Sequence, residues 1–104
     1  MKWAADAIEK LKLGEHSPIW PRGHSMSGRI EDGQCVWLEP LVPERLQLDD
    51  VVLVAIQGKK REVVVLHQVI ELDGERCLIG ARNGQVDGWV AIASILGRVT
   101  QIES

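Results

Sequence analysis

Two apolar runs joined by a short polar turn constrain the fold of this chain more than any other feature. Residues 51–56 are continuously apolar, and residues 63–70 are apolar apart from His67 and Gln68. A basic turn with one glycine, residues 57–61, separates the two runs. Short runs rich in Val and Ile with turn residues between them are typical of buried, hairpin-connected strands. We therefore expect a hairpin whose second strand, over residues 62–72, carries His67 in apolar surroundings.

One helix and several further strands are predicted around this hairpin. Apolar residues at helical spacing predict an amphipathic helix over residues 2–13, ended by Gly14. Residues 17–21 contain two prolines and should be extended. Residues 89–96 fit either a strand or a short helical turn. The remaining strands are expected at residues 35–39, 76–80 and 97–102, with a polar, glycine-rich loop over residues 82–88.

The composition decides between fold classes. The chain has no Phe and no Tyr, so its core must be built mainly from Val, Ile and Leu, which suits sheets. Its 104 residues show no internal repeat and no second domain. We predict a single domain, residues 1–104, that is mostly β and antiparallel, with one short N-terminal helix within residues 1–14.

Charge and hydropathy argue against several kinds of partner. The net charge of −3 gives no electrostatic footprint for nucleic acid or an anionic membrane, and the basic turn is predicted to be a solvated loop. No apolar run approaches the roughly 20 residues that span a bilayer, and no secretory signal is recognisable. Cys35 and Cys77 are therefore expected to be buried thiols rather than a disulfide. These features predict a soluble cytoplasmic protein, with its oligomeric state left open.

Ser25 and His67 are the residues best suited to chemistry, although each has an ordinary structural explanation. Ser25 lies in a turn bracketed by Gly23 and Gly28, where serine hydroxyls commonly cap backbone amides. A lone His in an apolar strand is commonly a hydrogen-bonded core residue. If the two segments meet, the hydroxyl and the imidazole form a nucleophile–base pair. His24 is a weaker choice for the base, because neighbours along a chain need not face one another.

No metal or cofactor site is expected from the sequence. The three His and two Cys residues show none of the close spacings that are typical of metal ligands. Residues 23–28 also lack the glycine pattern of phosphate-binding and dinucleotide-binding loops.

Six short segments carry glycine, acidic and apolar residues in a characteristic order. They are Gly23-His24-Ser25-Met26, Glu31-Asp32-Gly33-Gln34, Asp49-Asp50-Val51-Val52, Leu66-His67-Gln68-Val69-Ile70, Gly80-Ala81-Arg82-Asn83 and Gly97-Arg98-Val99. Together they resemble the serine peptidases of the signal-peptidase and LexA-like class, in which a Gly-x-Ser-Met turn precedes the strand that carries the general base. The resemblance implies a peptidase-like β domain over residues 19–102.

The resemblance also implies roles for individual residues. Ser25 matches the nucleophile, and its backbone N–H would help to stabilise the tetrahedral intermediate. His67 stands where bacterial members have a Lys base, and is similar to the His of members from the endoplasmic reticulum and archaea. In that branch an Asp accompanies the pair, and Asp87 is the nearest match. The residues that would border the substrate cleft are Gly23, His24 and Met26.

The chain departs from the family pattern at several positions. Gly28 replaces the usual Pro, Asp49-Asp50 replaces Gly-Asp, and residues 80–83 replace a Gly-Asp-Asn loop. We expect no membrane anchor and no DNA-binding domain, which argues against precursor processing at a membrane and against repressor autocleavage. The sequence therefore predicts a small soluble serine endopeptidase with a Ser-His pair, which cleaves a specific protein or leader peptide. The alternative is a catalytically inactive peptide-binding or regulatory module of the same fold.

Overall fold

The computed structural model describes residues 2–103, which form a short helix followed by a sheet. The helix α1 spans Lys2–Lys12, and Gly14 supplies the left-handed backbone (φ +82°) that commonly closes a helix. Short 3₁₀ turns occupy Pro43–Arg45 and Ile92–Ser94. The strands are β1 Ser17–Ile19, β2 Val36–Pro40, β3 Val51–Gln57, β4 Glu62–Asp73, β5 Arg76–Gly80, β6 Val86–Ala91 and β7 Ile95–Ile102.

The strands join one antiparallel sheet in the order β1-β2-β7-β3-β4-β5-β6. β3 and β4 form the predicted hairpin, with pairs that run from Gln57↔Glu62 to Val51↔Gln68. β4 is long enough to pair with β5 as well, but only from Gln68 onward. The prediction of a mostly β, antiparallel fold with one short N-terminal helix is confirmed.

Two apolar clusters fill the two sides of the sheet, because neighbouring residues of a strand point to opposite faces. Leu53 belongs to the cluster that α1 covers with Ala4, Ala7 and Leu11. Its neighbours Val52 and Val54 belong to the other cluster, together with Val69, Cys77 and Ile79. The helix lies so close to the sheet at β7 that a Cβ on Gly97 would stand 2.8 Å from Leu11 Cδ1.

Residues 89–96, predicted to be either a strand or a short helical turn, contain both strand and helical turn. It begins as the end of β6, makes the 3₁₀ turn Ile92–Ser94, and continues as β7 from Ile95. A pattern of apolar residues without a clear period is consistent with this change of geometry within eight residues.

Both cysteines are free thiols, in agreement with the sequence prediction, but they differ in burial. Cys77 is fully buried in the sheet, whereas Cys35 is only partly buried at the start of β2. Burial raises the pKa of the Cys77 thiol, which favours the protonated and unreactive form.

Within residues 2–103, no helix combines the length and the apolarity needed to cross a membrane.

Candidate active site

The turn that carries Ser25 is shaped by hydrogen bonds to its own backbone. The N–H of Gly23 donates to the Asp32 carboxylate at 2.8 Å, and the N–H of Gly28 donates to the Glu31 carboxylate at 2.7 Å. Both glycines have positive φ, +102° and +94°, so a residue with a side chain would be strained there. Because hydrogen bonds hold both of its ends, the turn has a defined shape although it is exposed to solvent.

Met26 anchors the same turn in the apolar core. Its side chain is buried beside Ile30, and the N–H groups of Arg29 and Ile30 both donate to its carbonyl oxygen. Ser25, one residue earlier, is therefore held at the border of the core and is only partly buried. The buried Met26 therefore fixes the place of the hydroxyl relative to the core.

His67 approaches this hydroxyl from β4. The residue is 6% exposed, and its Nε2 lies 3.1 Å from Ser25 Oγ, although the two residues are 42 positions apart. The alternation of β4 places Val65 and Val69 in the cluster on one side of the sheet and Leu66 in the cluster on the other. Since these neighbours pack in the core, they restrict the orientation of the imidazole ring.

Asp87 meets the opposite nitrogen of the ring. Its Oδ2 lies 2.5 Å from His67 Nδ1, and its side chain is 1% exposed. A carboxylate at Nδ1 favours the tautomer in which Nδ1–H donates to Asp87 and the Nε2 lone pair faces Ser25. The three groups therefore form a chain in the order Asp87, His67, Ser25.

A change of register in β6 brings Asp87 to this position. Gly80 pairs with Val86 and Ile79 pairs with Gly88, so Asp87 is an extra residue without a partner in β5. Extra residues of this kind re-aim side chains near sheet edges and active sites. Here the extra residue lies at the end of β5. It is therefore beside His67 of β4, the strand on the other side of β5.

Two residues that the sequence did not indicate, Gln85 and Arg82, form hydrogen bonds to Asp87 and Ser25. Gln85 donates from Nε2 to Asp87 Oδ1 at 2.8 Å, which leaves Oδ2 for the histidine. The N–H of Arg82 donates to the carbonyl oxygen of Ser25 at 3.0 Å and ties the β5–β6 loop to the serine turn. Gln85 could have been inferred from its spacing, since residues two apart in extended chain point the same way. Arg82 acts through its backbone, which gives no signal in the sequence.

The backbone N–H of Ser25 is free to serve as an oxyanion donor. Among the hydrogen bonds of residues 2–103, none uses this N–H. A backbone donor of this kind can stabilise the negative oxygen that forms when a serine hydroxyl attacks a carbonyl carbon.

A pocket of about 250 Å³ adjoins the three residues. Its walls include Trp3 from α1, Gly23 and Met26 from the serine turn, and Val64 and Leu66 from β4. Gly23 and Met26 therefore lie beside Ser25 at the wall of this pocket. His24 is exposed and does not line this pocket, and no hydrogen bond joins its side chain to Ser25.

Residues 2–103 contain no group of three or more His, Cys, Asp or Glu side chains arranged to hold a metal ion. No buried side-chain nitrogen or oxygen in the described residues lacks a hydrogen-bond partner. Hydroxyl, imidazole and carboxylate are the reactive groups that this site offers.

No protein-family model matches the chain, and comparisons with curated proteins and with solved structures also give no match. Function is therefore inferred from the side-chain geometry and from the surfaces that surround it.

Proposed function

We propose that this protein is a serine endopeptidase in which Ser25 is the nucleophile, His67 the general base and Asp87 the residue that orients the imidazole. The observation that carries the proposal is the continuous hydrogen-bonded chain, 3.1 Å from Ser25 Oγ to His67 Nε2 and 2.5 Å from His67 Nδ1 to Asp87 Oδ2. Its members come from a turn and two different strands. Nucleophile, base and orienting group in hydrogen-bond reach are the geometric requirement for acyl transfer through serine.

The proposed reaction has two halves. His67 Nε2 takes the hydroxyl proton as Ser25 Oγ bonds to the peptide carbonyl carbon, and the N–H of Ser25 stabilises the oxyanion. The protonated imidazole then gives this proton to the leaving amine nitrogen as the peptide C–N bond breaks. Water, deprotonated by His67, attacks the resulting ester, and the proton returns to Ser25 Oγ as the acid product leaves.

An unpaired strand edge beside the site supports a peptide as the substrate. β4 pairs with β3 along residues 62–68 but reaches β5 only at Gln68, so within residues 2–103 one edge of residues 63–67 has no strand partner. The pocket at Ser25 lies along this segment, with Pro21 and Gly23 among the lining residues from the serine turn. An extended peptide can add to such an edge through main-chain hydrogen bonds while its side chains enter the pocket.

The resemblance to signal-peptidase and LexA-like serine peptidases is consistent with this proposal. Its three carried-over residues, Ser25, His67 and Asp87, are distant in sequence and adjacent in the structure. We propose a specific protein or leader segment in the cytoplasm as the substrate, cleaved within an extended stretch.

A non-catalytic peptide-binding module is the second candidate. The free edge at residues 63–67 and the apolar pocket would bind a peptide whether or not Ser25 reacts. The departures at Gly28, at Asp49 and in residues 80–83 are compatible with this alternative.

A peptide-library experiment separates the two candidates. The purified protein is incubated with a mixture of peptides prepared from digested proteins, and new termini are identified by mass spectrometry. We expect cleavage that is lost in Ser25→Ala and His67→Ala, while circular dichroism shows that both variants are folded. Ser27→Ala is the matched control, because Ser27 is an exposed serine of the same turn and should keep full activity. Peptide binding without any cleavage by the wild-type protein would support the module instead.

A further inference from the structure

The free edge of β4 leads directly to a cluster of three cations. Lys59, Lys60 and Arg61 form the tip of the β3–β4 hairpin, and β4 begins at the next residue, Glu62. All three cationic residues are exposed. None of the salt bridges or side-chain hydrogen bonds within residues 2–103 uses their charged groups. Their charges are therefore available to a bound molecule.

The geometry of a strand places this tip within reach of a peptide in the proposed cleft. Arg61 is six residues before His67, and a strand rises by about 3.3 Å per residue, so the tip begins roughly 20 Å from the candidate base. A peptide that pairs with residues 63–67 and continues in extended form would pass the tip about four to seven residues from its scissile bond.

The charges along this path are unevenly distributed. Residues 63–66 are uncharged, and Arg22 and Glu31 near Ser25 balance each other. At the far end the three cations of the tip outnumber the single carboxylate of Glu62. Since the whole chain carries a net charge of −3, the tip is a local positive region on an acidic protein. Such a region attracts acidic groups at one end of the cleft only, and so fixes the register of a peptide.

We propose that the β3–β4 hairpin tip selects substrates with acidic residues about four to seven positions from the cleaved bond, on one side of it. The inference rests on the proposed endopeptidase function, because the distance is counted from the bond that Ser25 attacks. The same contact would orient an acidic peptide in the cleft even where no cleavage follows, so it can be measured as binding as well as cleavage.

Cleavage sites from the peptide library give the first test. We expect Asp and Glu to be enriched about fivefold at these positions on one side of the cleaved bond at low salt. The enrichment should largely disappear at about 0.5 M NaCl, because exposed charge pairs are screened. Lys59→Glu/Lys60→Glu should reverse the preference toward Lys and Arg. Lys10→Glu/Lys12→Glu, a matched double reversal at the exposed end of α1, should leave the preference unchanged.

Binding to the Ser25→Ala variant gives the second test. Two fluorescent peptides with the same apolar segment are compared by anisotropy, one ending in three Glu and the other in three Lys, with the charged end placed on either side. We expect the Glu peptide to bind about fivefold more tightly in one of the two arrangements, and the Lys59→Glu/Lys60→Glu change to reverse the order. Equal binding of both peptides in both arrangements, or an acidic preference that survives this change, would overturn the inference.

The cleavage experiment tests the two proposals separately. Cleavage that depends on Ser25 but shows no charge preference would overturn the role of the hairpin tip and leave the peptidase proposal in place. Cleavage that persists in Ser25→Ala would contradict the peptidase proposal itself.

Discussion

Asp87 Oδ2 lies 2.5 Å from His67 Nδ1, although β5 separates their strands, β6 and β4; the contact is made at the end of β5. The contact depends on the extra residue in β6, since with regular pairing of β6 and β5 Asp87 would lie opposite a β5 residue. The carboxylate is held from its other side by Gln85. A carboxylate fixed in this way favours the tautomer with the proton on Nδ1, which leaves the Nε2 lone pair facing Ser25 Oγ.

The first prediction concerns Asp87→Asn. The amide keeps the shape of the side chain but no longer favours Nδ1–H, so the nitrogen that faces Ser25 is more often protonated. We expect kcat to fall by about 10³-fold or more, with little change in KM, when initial rates are measured on a peptide found in the library. Asp73→Asn is the control, because its carboxylate is 72% exposed and distant from the site along β4. A variant with at least half of the wild-type kcat would show that Asp87 does not orient the base.

The second prediction concerns the pH dependence of cleavage. A protonated His67 cannot accept the hydroxyl proton of Ser25, so kcat/KM should decrease on acidification by up to about tenfold per pH unit. Rates are measured from about pH 8 to about pH 5. Circular dichroism at each pH separates loss of activity from loss of fold. A constant rate across this range in a folded protein would contradict the role of His67.

The third prediction concerns Gly80→Ala at the end of β5. An added Cβ would lie 2.7 Å from the carbonyl oxygen of Gln85 and would also clash with Ile70 Cδ1. Because the loop that positions Asp87 must move, we expect a loss of about 1–3 kcal/mol in unfolding free energy. We also expect at least a tenfold loss of kcat/KM, measured with the same peptide as above.

Gly74→Ala provides the comparison for Gly80→Ala. Gly74 has φ +62°, and a Cβ there would meet no atom within 4 Å, so the cost is backbone strain of about 1 kcal/mol. Urea unfolding and initial rates are measured for both variants. We expect similar losses of stability but a loss of activity only in Gly80→Ala; equal activities would show that the loop is not displaced.

The fourth prediction concerns the ion-pair network at Arg98, which lies two strands from His67 in the cross-strand row Arg98, Val52 and His67. Arg98 donates to Asp50 at 3.0 Å and to Glu39 at 2.7 Å, and Glu39 is 8% exposed. The hydrogen bond to Asp50 and the neighbouring carboxylates raise the pKa of Arg98 above its ordinary value. Arg98→Met would leave Glu39 as a buried charge without its close partner, so we expect the unfolding free energy to fall by about 2–3 kcal/mol.

Arg45→Met is the matched control for Arg98→Met. Arg45 approaches the same carboxylate, but its side chain is 63% exposed and the separation is 4.0 Å. We expect a change of less than about 0.5 kcal/mol in urea unfolding. Comparable losses of unfolding free energy in the two variants would mean that burial does not determine how much the ion-pair network contributes to stability.

Much of the local structure was predictable because strand and helix periods are properties of neighbouring residues. The apolar runs around residues 57–61 predicted the β3–β4 hairpin, and the apolar spacing in residues 2–13 with Gly14 predicted α1. The change from β6 to β7 through Ile92–Ser94 was not predictable, because eight apolar and small residues carry no single period.

The sequence by itself determined which reactive groups the protein possesses and which elements carry them, namely Ser25 in a glycine turn and His67 in a buried strand. Only the tertiary structure decided which of these groups meet. It excluded His24 from the pocket, joined Ser25 to His67 across 42 residues, and placed Asp87 beside the imidazole through one unpaired residue in β6. The physical reason is that side-chain period depends on local backbone geometry, whereas strand register and bulges depend on how whole strands pack against one another.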